Sequence, residues 1–168
     1  RKVKVILINI KMKTDLEIWD QIKKRLFEQP KIEYSYRSIN SVVKSIKFCQ
    51  NKYPNLKIKT IIIDDNSKDK NLDRIKKLID NKNIEVIPLN HDKHKTLIKE
   101  QKTNETFSNL ASLMNSFKIG RDQSEDLIFF VEDDYLHFEP MLEEMVASYE
   151  RIASQLKKDL FMCPSDYP

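Results

Sequence analysis

Two acidic clusters directly follow apolar runs that predict strands. Asp64-Asp65 ends one run, and Glu132-Asp133-Asp134 ends another. The carboxyl ends of neighbouring parallel strands meet at one edge of a sheet, so both clusters are expected on the same rim. Up to five carboxylates there would repel one another unless a cation lay among them. Mg²⁺ or Mn²⁺ suits such oxygen ligands and bridges to a diphosphate, so the spacing predicts a divalent-metal and diphosphate site.

Each cluster also has a simpler interpretation, in which its acids cap the helix that follows. A helix N-terminus favours one or two acids, because the helix dipole is positive at that end. Capping therefore explains one cluster more readily than both, and the two interpretations stay open at this point.

Glycine content excludes two common ways of holding a phosphate. The chain has 168 residues and a single glycine, Gly120. A Walker A loop and a dinucleotide fingerprint each need more than one glycine, because backbone amides must approach the phosphates closely. Any phosphate bound here must be held by side chains, by a helix N-terminus or by a metal ion.

Charge and composition indicate a single globular domain without a nucleic-acid partner. The chain has 30 Lys+Arg against 26 Asp+Glu, and no basic run with interleaved aromatics. No apolar stretch approaches the ~20 residues of a membrane span. Cys49 and Cys163 lack CxxC spacing, which predicts reduced, buried thiols. These features predict a cytoplasmic location, and the mild basicity permits peripheral contact at the inner membrane face.

Apolar periodicity predicts strands that alternate with helices. The predicted strands cover residues 3–10, 57–63, 84–89, 127–131 and 160–163. The predicted helices run from the Thr14–Glu17 capping box through Leu26 to Pro30, from Ser38 to near Pro54, over 69–80, over 104–118, and from Pro140 to Leu156. This order indicates βαβ units, and hence one three-layer α/β/α domain over residues 1–168 with a mostly parallel central sheet.

Shorter segments carry further expectations. Residues 31–37 alternate briefly and are expected to be extended, with Ser38 capping the next helix. Residues 90–103 are polar and lysine-rich, and they predict a loop in which His91 and His94 are solvated. Gly120 is expected to cap the C-terminus of the helix over 104–118.

Two segments resemble motifs of the family 2 glycosyltransferases, which have the GT-A nucleotide-sugar fold. Residues 59–69, KTIIIDDNSKD, resemble the family's EIIVVDDGSTD segment. Residues 127–136, LIFFVEDDYL, resemble its YILFLDDDD segment, which contains the DxD motif. By this resemblance Asp64 and Asp65 bind the nucleoside, and Asp134 coordinates the metal.

The resemblance extends to other candidate site residues. Glu132 stands in place of the first Asp of the DxD motif as a second metal ligand, and Asp133 is assigned to the nucleotide. Tyr36 and Arg37, in the sequence SYRS, resemble the TYNR stretch that follows the first strand directly in the family, although about 25 residues intervene here. Asn109, in Phe-Ser-Asn, stands where the family often has ARN. These residues are expected to contact the nucleotide.

The resemblance implies an activity, a cofactor and partners. The chain would transfer a sugar from a nucleotide-diphosphate donor to a saccharide, lipid-linked or protein acceptor, with Mn²⁺ or Mg²⁺ offsetting the charge of the leaving diphosphate. Inverting members also use an Asp or Glu as general base. That base is expected beyond Pro168, in an acceptor-binding part that is missing or short here, and Asp166 is the one late candidate.

Three alternatives remain from other classes. A phospho-acceptor signalling domain also has an acid pair at a strand end, but there the pair ends the first strand. A nucleotidyltransferase shares the layered plan, but its glycine-rich loop needs glycines that this chain lacks. A non-catalytic nucleotide- or carbohydrate-binding module would keep the fold and the donor site without the chemistry.

Overall fold

Four strands and four α-helices form the part of the chain that the structure, a computed structural model, describes: residues 2–15, 29–80, 83–98 and 103–163. The strands are β1 (Val5–Met12), β2 (Lys57–Asp64), β3 (Ile84–Pro88) and β4 (Leu127–Glu132). The α-helices are α1 (Lys31–Lys52), α2 (Asp69–Ile79), α3 (Asn104–Gln123) and α4 (Met141–Leu156), with a 3-10 turn at His91–His94. None of the helices described is both long and apolar enough to span a membrane.

The strands form one parallel sheet in the order β3-β2-β1-β4. Met12 at the end of β1 pairs with Asp64 at the end of β2, and Lys11 pairs with Glu132 at the end of β4. The carboxyl ends of these three strands therefore lie at one edge, as the two acidic clusters predicted. The parallel α/β architecture expected from the sequence is confirmed.

Both faces of the sheet are covered, which gives three layers. Ile6, Ile8 and Ile10 of β1 pack in a cluster with residues of α1, α2 and α4, whereas Leu7 packs on the other face with Ala111 of α3. β1 is buried on both faces for this reason. The near-continuous apolar run of residues 3–10, which is typical of a buried parallel strand, is explained by this burial on both faces.

The prediction of an extended segment at residues 31–37 is wrong, because α1 begins at Lys31 directly after Pro30. The local sequence alternates, but the buried positions recur at helical spacing and include Ser35 and Ser38 as well as Ile32 and Ile39. Small serines on the buried face hide the helical period from a count of apolar residues. Ser38 therefore lies inside α1 and does not cap it.

Gly120 is inside α3 and is not its C-cap, since the helix continues to Gln123 and Ser124 takes the capping position. A Cβ placed at Gly120 would clash with the side chain of Ile128 in β4 and would lie 3.3 Å from Phe130. The glycine thus permits close packing of α3 against the edge strand, and this requirement explains why it stands there.

The predicted strand over residues 160–163 is also wrong, because these residues form no ladder with any described strand. Leu160 and Met162 are partly buried while Phe161 is exposed. Buried and exposed side chains therefore alternate as in a strand, but the segment pairs with no described strand.

Cys163 is exposed, contrary to expectation, whereas Cys49 is fully buried. Burial, with the nearby charge of Glu143, raises the pKa of Cys49 to about 11.

Other sequence-based predictions differ in detail or cannot be compared. Pro140 is the N-cap of α4 and not its first helical residue. The loop expected at 90–103 contains the 3-10 turn. Residues 16–28 of the helix predicted between the Thr14–Glu17 capping box and Pro30 lie outside the described residues, and so does the candidate base Asp166.

Candidate functional site

A cavity of about 380 Å³ opens at the carboxyl ends of β1 and β4. β1 lies between β2 and β4, so the strand order reverses at this point of the sheet. Open α/β sheets bind ligands in the crevice that forms at such a reversal. The position of the cavity is therefore the one that the topology favours for a ligand.

Four elements and one loop line the cavity. The carboxyl end of β1 contributes Lys11, Met12 and Lys13, and that of β4 contributes Glu132, Asp133 and Asp134. Helix α1 contributes Lys31, and α3 contributes Thr106, Ser108, Asn109 and Ser112. The loop after β2 contributes Asp65. The lining thus combines ammonium groups, carboxylates, hydroxyls and an amide. Asp65 is placed next to β1 because its backbone N–H donates to the carbonyl of Met12 at 2.9 Å.

Asp133 is held by groups from α1 and from the residue that follows β1. Lys31 Nζ lies 2.7 Å from its Oδ1, and Ser35 Oγ donates to its Oδ2 at 2.5 Å. The backbone N–H of Lys13 also donates to Oδ2, at 3.2 Å. Asp133 therefore joins the start of α1 and the end of β1 to the end of β4.

Glu132 and Asp134, the two predicted metal ligands, have different surroundings. Lys11 Nζ lies 2.9 Å from Glu132 Oε1 and also donates to Asn109 Oδ1 at 3.3 Å. Asp134 has half of its side chain exposed, with Lys31 Nζ at 3.9 Å. Desolvation in the cavity raises the pKa of Asp134, Lys31 opposes this effect, and the negative charges of its two acidic neighbours add to it.

Asp65 lies at the centre of a polar network. Its Oδ1 is 2.6 Å from His91 Nε2, and its Oδ2 accepts from Lys13 Nζ at 3.0 Å and from the Ser108 hydroxyl. Burial raises the pKa of Asp65, but the hydrogen bonds from Ser108, Lys13 and His91 together lower it by more, so the pKa lies below its ordinary value. The carboxylate is stabilised in its charged form.

Asp64 is buried beside this network but does not line the cavity. Its Oδ2 accepts from the backbone N–H of Ser67 at 3.3 Å, and its Oδ1 has no hydrogen-bond partner among the described residues. Burial raises the pKa of Asp64, and the hydrogen bonds from Ser67 oppose the rise only in part. Of the acid pair, only Asp65 faces the cavity.

Of the three remaining nucleotide-binding candidates, one lies at the cavity and two lie outside it. Asn109 lines the cavity. Tyr36 and Arg37 lie on α1 outside it, where the guanidinium of Arg74 covers the Tyr36 ring at 4.4 Å and Arg37 is exposed. The structure brings Asn109 together with the acidic residues but does not bring Tyr36 or Arg37 to them.

Three cavity lysines were not predicted. Lys11 and Lys13 stand at the carboxyl end of β1, and the rule that identified the acidic clusters would have identified them too. Lys31 gave no local signal, because its partner Asp133 is 102 residues away.

The two histidines were expected to be solvated, and that prediction is wrong for both. His91 packs edge-on against Phe107 and contacts Asp65. His94 is buried, and burial lowers its pKa. Both histidines lie in the 3-10 turn, where His91 contacts the polar network around Asp65 and His94 points into the protein interior.

The described residues do not fit a divalent-metal site built by the protein alone. No three His, Cys, Asp or Glu side chains come together to hold a metal within the ranges described. Asp65, Glu132 and Asp133 each have a lysine ammonium within 3.0 Å. Binding of Mn²⁺ or Mg²⁺ stays a prediction from the sequence.

No protein family profile matches the sequence, and no curated protein matches it. The crystal structure of S. aureus TarS 1–349, a glycosyltransferase, is similar to this chain. The sequence identity is 14% and the TM-score is 0.47. The match covers 87% of this chain and 32% of the TarS chain, so this chain spans about a third of that structure.

Proposed function

We propose that this chain is the nucleotide-sugar-binding domain of a glycosyltransferase, which moves a sugar from a nucleotide diphosphate to an acceptor hydroxyl. The observation that carries the proposal is the cavity at the strand-order reversal between β1 and β4. Asp65 and the Glu132–Asp134 cluster, which belong to the two motif-like segments of the sequence, lie on that one cavity. Segments about 70 residues apart thus contribute to a single site.

The chemistry of the lining supports a ligand with phosphate and hydroxyl groups. Lys11, Lys13 and Lys31 offer charged donors to phosphate oxygens. Ser108 and Asn109 on α3 offer the neutral donors and acceptors that hydroxyls need. A volume of about 380 Å³ is at the lower end of the range for small-molecule sites.

The proposed reaction needs positive charge where the diphosphate leaves. The leaving group gains negative charge as the bond to the sugar breaks, and fixed cations in a partly water-excluded site stabilise that charge. In this proposal Lys11, Lys13 and Lys31 supply it by bridging from their carboxylate partners to the phosphate oxygens. Saccharide, lipid-linked and protein hydroxyls are the proposed acceptors, and the general base is not assigned to any described residue.

A non-catalytic nucleotide-binding module is the second candidate. It is favoured by one observation: lysines neutralise three of the four carboxylates that line the cavity, namely Asp65, Glu132 and Asp133. Carboxylate oxygens that already contact an ammonium group are not placed to receive the proton of an acceptor hydroxyl. Such a module would bind the donor and transfer nothing.

The test of donor binding is calorimetric titration with UDP, GDP, CDP and dTDP, each with and without Mn²⁺. We expect one nucleotide to bind in preference to the others. Asn109→Ala should weaken that binding by about threefold to tenfold, the worth of one hydrogen bond. Lys118→Ala, at an exposed position of the same helix outside the cavity, is the matched control and should leave it unchanged.

The outcomes separate the candidates. Binding of no nucleotide under any condition would contradict both functions. Selective binding followed by release of free nucleotide from the corresponding sugar nucleotide would support the transferase. Selective binding with the sugar nucleotide left intact, in the presence of saccharide and lipid-linked acceptors, would favour the non-catalytic module.

A further inference from the structure

Lys31 occupies an unusual position for a lysine, the first residue of α1. The N-terminus of a helix carries partial positive charge and disfavours a cation. Only 10% of the Lys31 side chain is exposed, so water does not compensate. The compensation comes from carboxylates, with Nζ at 2.7 Å from Asp133 Oδ1 and 3.9 Å from Asp134 Oδ2.

Both carboxylate oxygens of Asp133 are engaged by the protein itself. Lys31 holds Oδ1, while the Ser35 hydroxyl and the backbone N–H of Lys13 hold Oδ2. A divalent ion bound to Asp133 would have to displace the ammonium or lie beside it. Two cations a few ångströms apart repel strongly in a site that is only partly hydrated.

The same pairing extends around the rim. Lys11 neutralises Glu132 at 2.9 Å, and Lys13 neutralises Asp65 at 3.0 Å. Carboxylates clustered in this way repel one another unless a cation lies among them. Three lysine ammonium groups of the chain itself lie among the four carboxylates of the cavity, three of which they contact within 3.0 Å.

We propose that the ammonium of Lys31 takes the place of a divalent cation at the Asp133–Asp134 pair, so that the native chain holds no metal ion there. The consequence for catalysis rests on the proposed function: the donor's diphosphate draws its counter-charge from the cavity lysines. The exclusion of the metal ion depends only on the contacts of Lys31 with Asp133 and Asp134.

The first experiment titrates the protein with Mn²⁺ alone and measures the free ion by electron paramagnetic resonance. The native chain should show no saturable binding in the micromolar range. Lys31→Gln should bind Mn²⁺ at least about tenfold more tightly, because it removes a positive charge next to the carboxylates. Lys31→Arg keeps the charge and should behave like the native chain.

Lys52→Gln is the matched control. It removes a lysine from the other end of the same helix, where the partner is Glu143 at 2.5 Å. It should leave Mn²⁺ binding as weak as in the native chain. Micromolar binding by the native chain, or no gain in Lys31→Gln that keeps its circular dichroism spectrum, would overturn the proposal.

A second measurement on the native chain decides the matter if Lys31→Gln does not fold. The affinity for the preferred nucleoside diphosphate should change by less than about threefold between EDTA and Mn²⁺. Strict dependence on Mn²⁺ would overturn the role of Lys31 and leave the proposed function standing. No nucleotide binding in either buffer would contradict the proposed function, and the Mn²⁺ titration of the native chain would still decide the inference.

Discussion

Asp64 and Asp65 are consecutive buried carboxylates with opposite surroundings. Asp65 contacts Lys13, Ser108 and His91, whereas one oxygen of Asp64 has no hydrogen-bond partner among the described residues. Burial raises the pKa of both side chains. For Asp64 it remains the dominant influence, while for Asp65 the hydrogen bonds outweigh it and the net pKa is lowered. The same acid pair thus contains one carboxylate that the fold stabilises and one that it does not.

Substitution of each acid by asparagine should separate these roles. At pH 7 we expect Asp65→Asn to lower the free energy of unfolding by about 1–3 kcal/mol, since it leaves Lys13 without its charged partner. Asp64→Asn should lose no more than about 1 kcal/mol, because it removes a buried charge with few contacts. Urea denaturation of the two variants measures the difference. An equal loss in both would contradict the assigned surroundings.

The pH dependence of these two variants should have opposite signs. The lowered pKa of Asp65 contributes stability that is present above its unfolded value of 3.8 and is lost as the pH falls through the lower folded value. The deficit of Asp65→Asn relative to the native chain should therefore shrink in acid. Because the pKa of Asp64 is raised in the folded state, ionisation of this carboxyl lowers the free energy of unfolding as the pH rises through the folded pKa. The stability of Asp64→Asn relative to the native chain should therefore be greatest at neutral pH. Denaturation curves between pH 2 and pH 7 test both slopes, with the Asp65 effect below pH 3.8 and the Asp64 effect above it.

The sheet could be predicted from local sequence, while part of α1 could not. Apolar runs such as 57–63 indicate buried parallel strands, because a strand covered on both faces needs little polar alternation. The first turns of α1 bury Ser35 and Ser38. These serines are inward because they bond to the end of β4, at Asp133 and at the Glu132 carbonyl, so their burial depends on residues almost 100 positions away.

The candidate site was likewise predictable in its position but not in its cations. The rim on which the acidic clusters meet follows from strand direction alone, and it was predicted. The cations of that rim come from Lys11, Lys13 and Lys31, whose pairing with Glu132, Asp65 and Asp133 is a property of the folded chain. The acidic clusters in the sequence indicate that a positive charge is required at this rim. They do not indicate whether a metal ion or a lysine provides it.

Ser35→Ala tests the connection between α1 and β4. It removes the hydroxyl that donates to Asp133 Oδ2 and leaves a buried carboxylate with one donor fewer. We expect a loss of about 1–2 kcal/mol in the free energy of unfolding, because the missing hydrogen bond outweighs the better helix propensity of alanine. Lys44→Ala, at an exposed position of the same helix, is the control and should change the value by less than about 0.5 kcal/mol. No loss in Ser35→Ala would mean that this hydrogen bond does not stabilise the junction.

Gly120→Ala tests the close packing of α3 against β4, and its outcome should depend on residue 128. Alanine favours a helix over glycine by about 1 kcal/mol, but its Cβ would meet the Cδ1 atom of Ile128. We therefore expect Gly120→Ala to be neutral or destabilising in the native chain. In the Ile128→Val background, which lacks that atom, it should stabilise the protein by up to about 1 kcal/mol, reduced by the small shift that the Phe130 ring, 3.3 Å from the added Cβ, must make. Urea denaturation of both single variants and the double variant gives the coupling energy, and a value near zero would show that Gly120 is not required by Ile128.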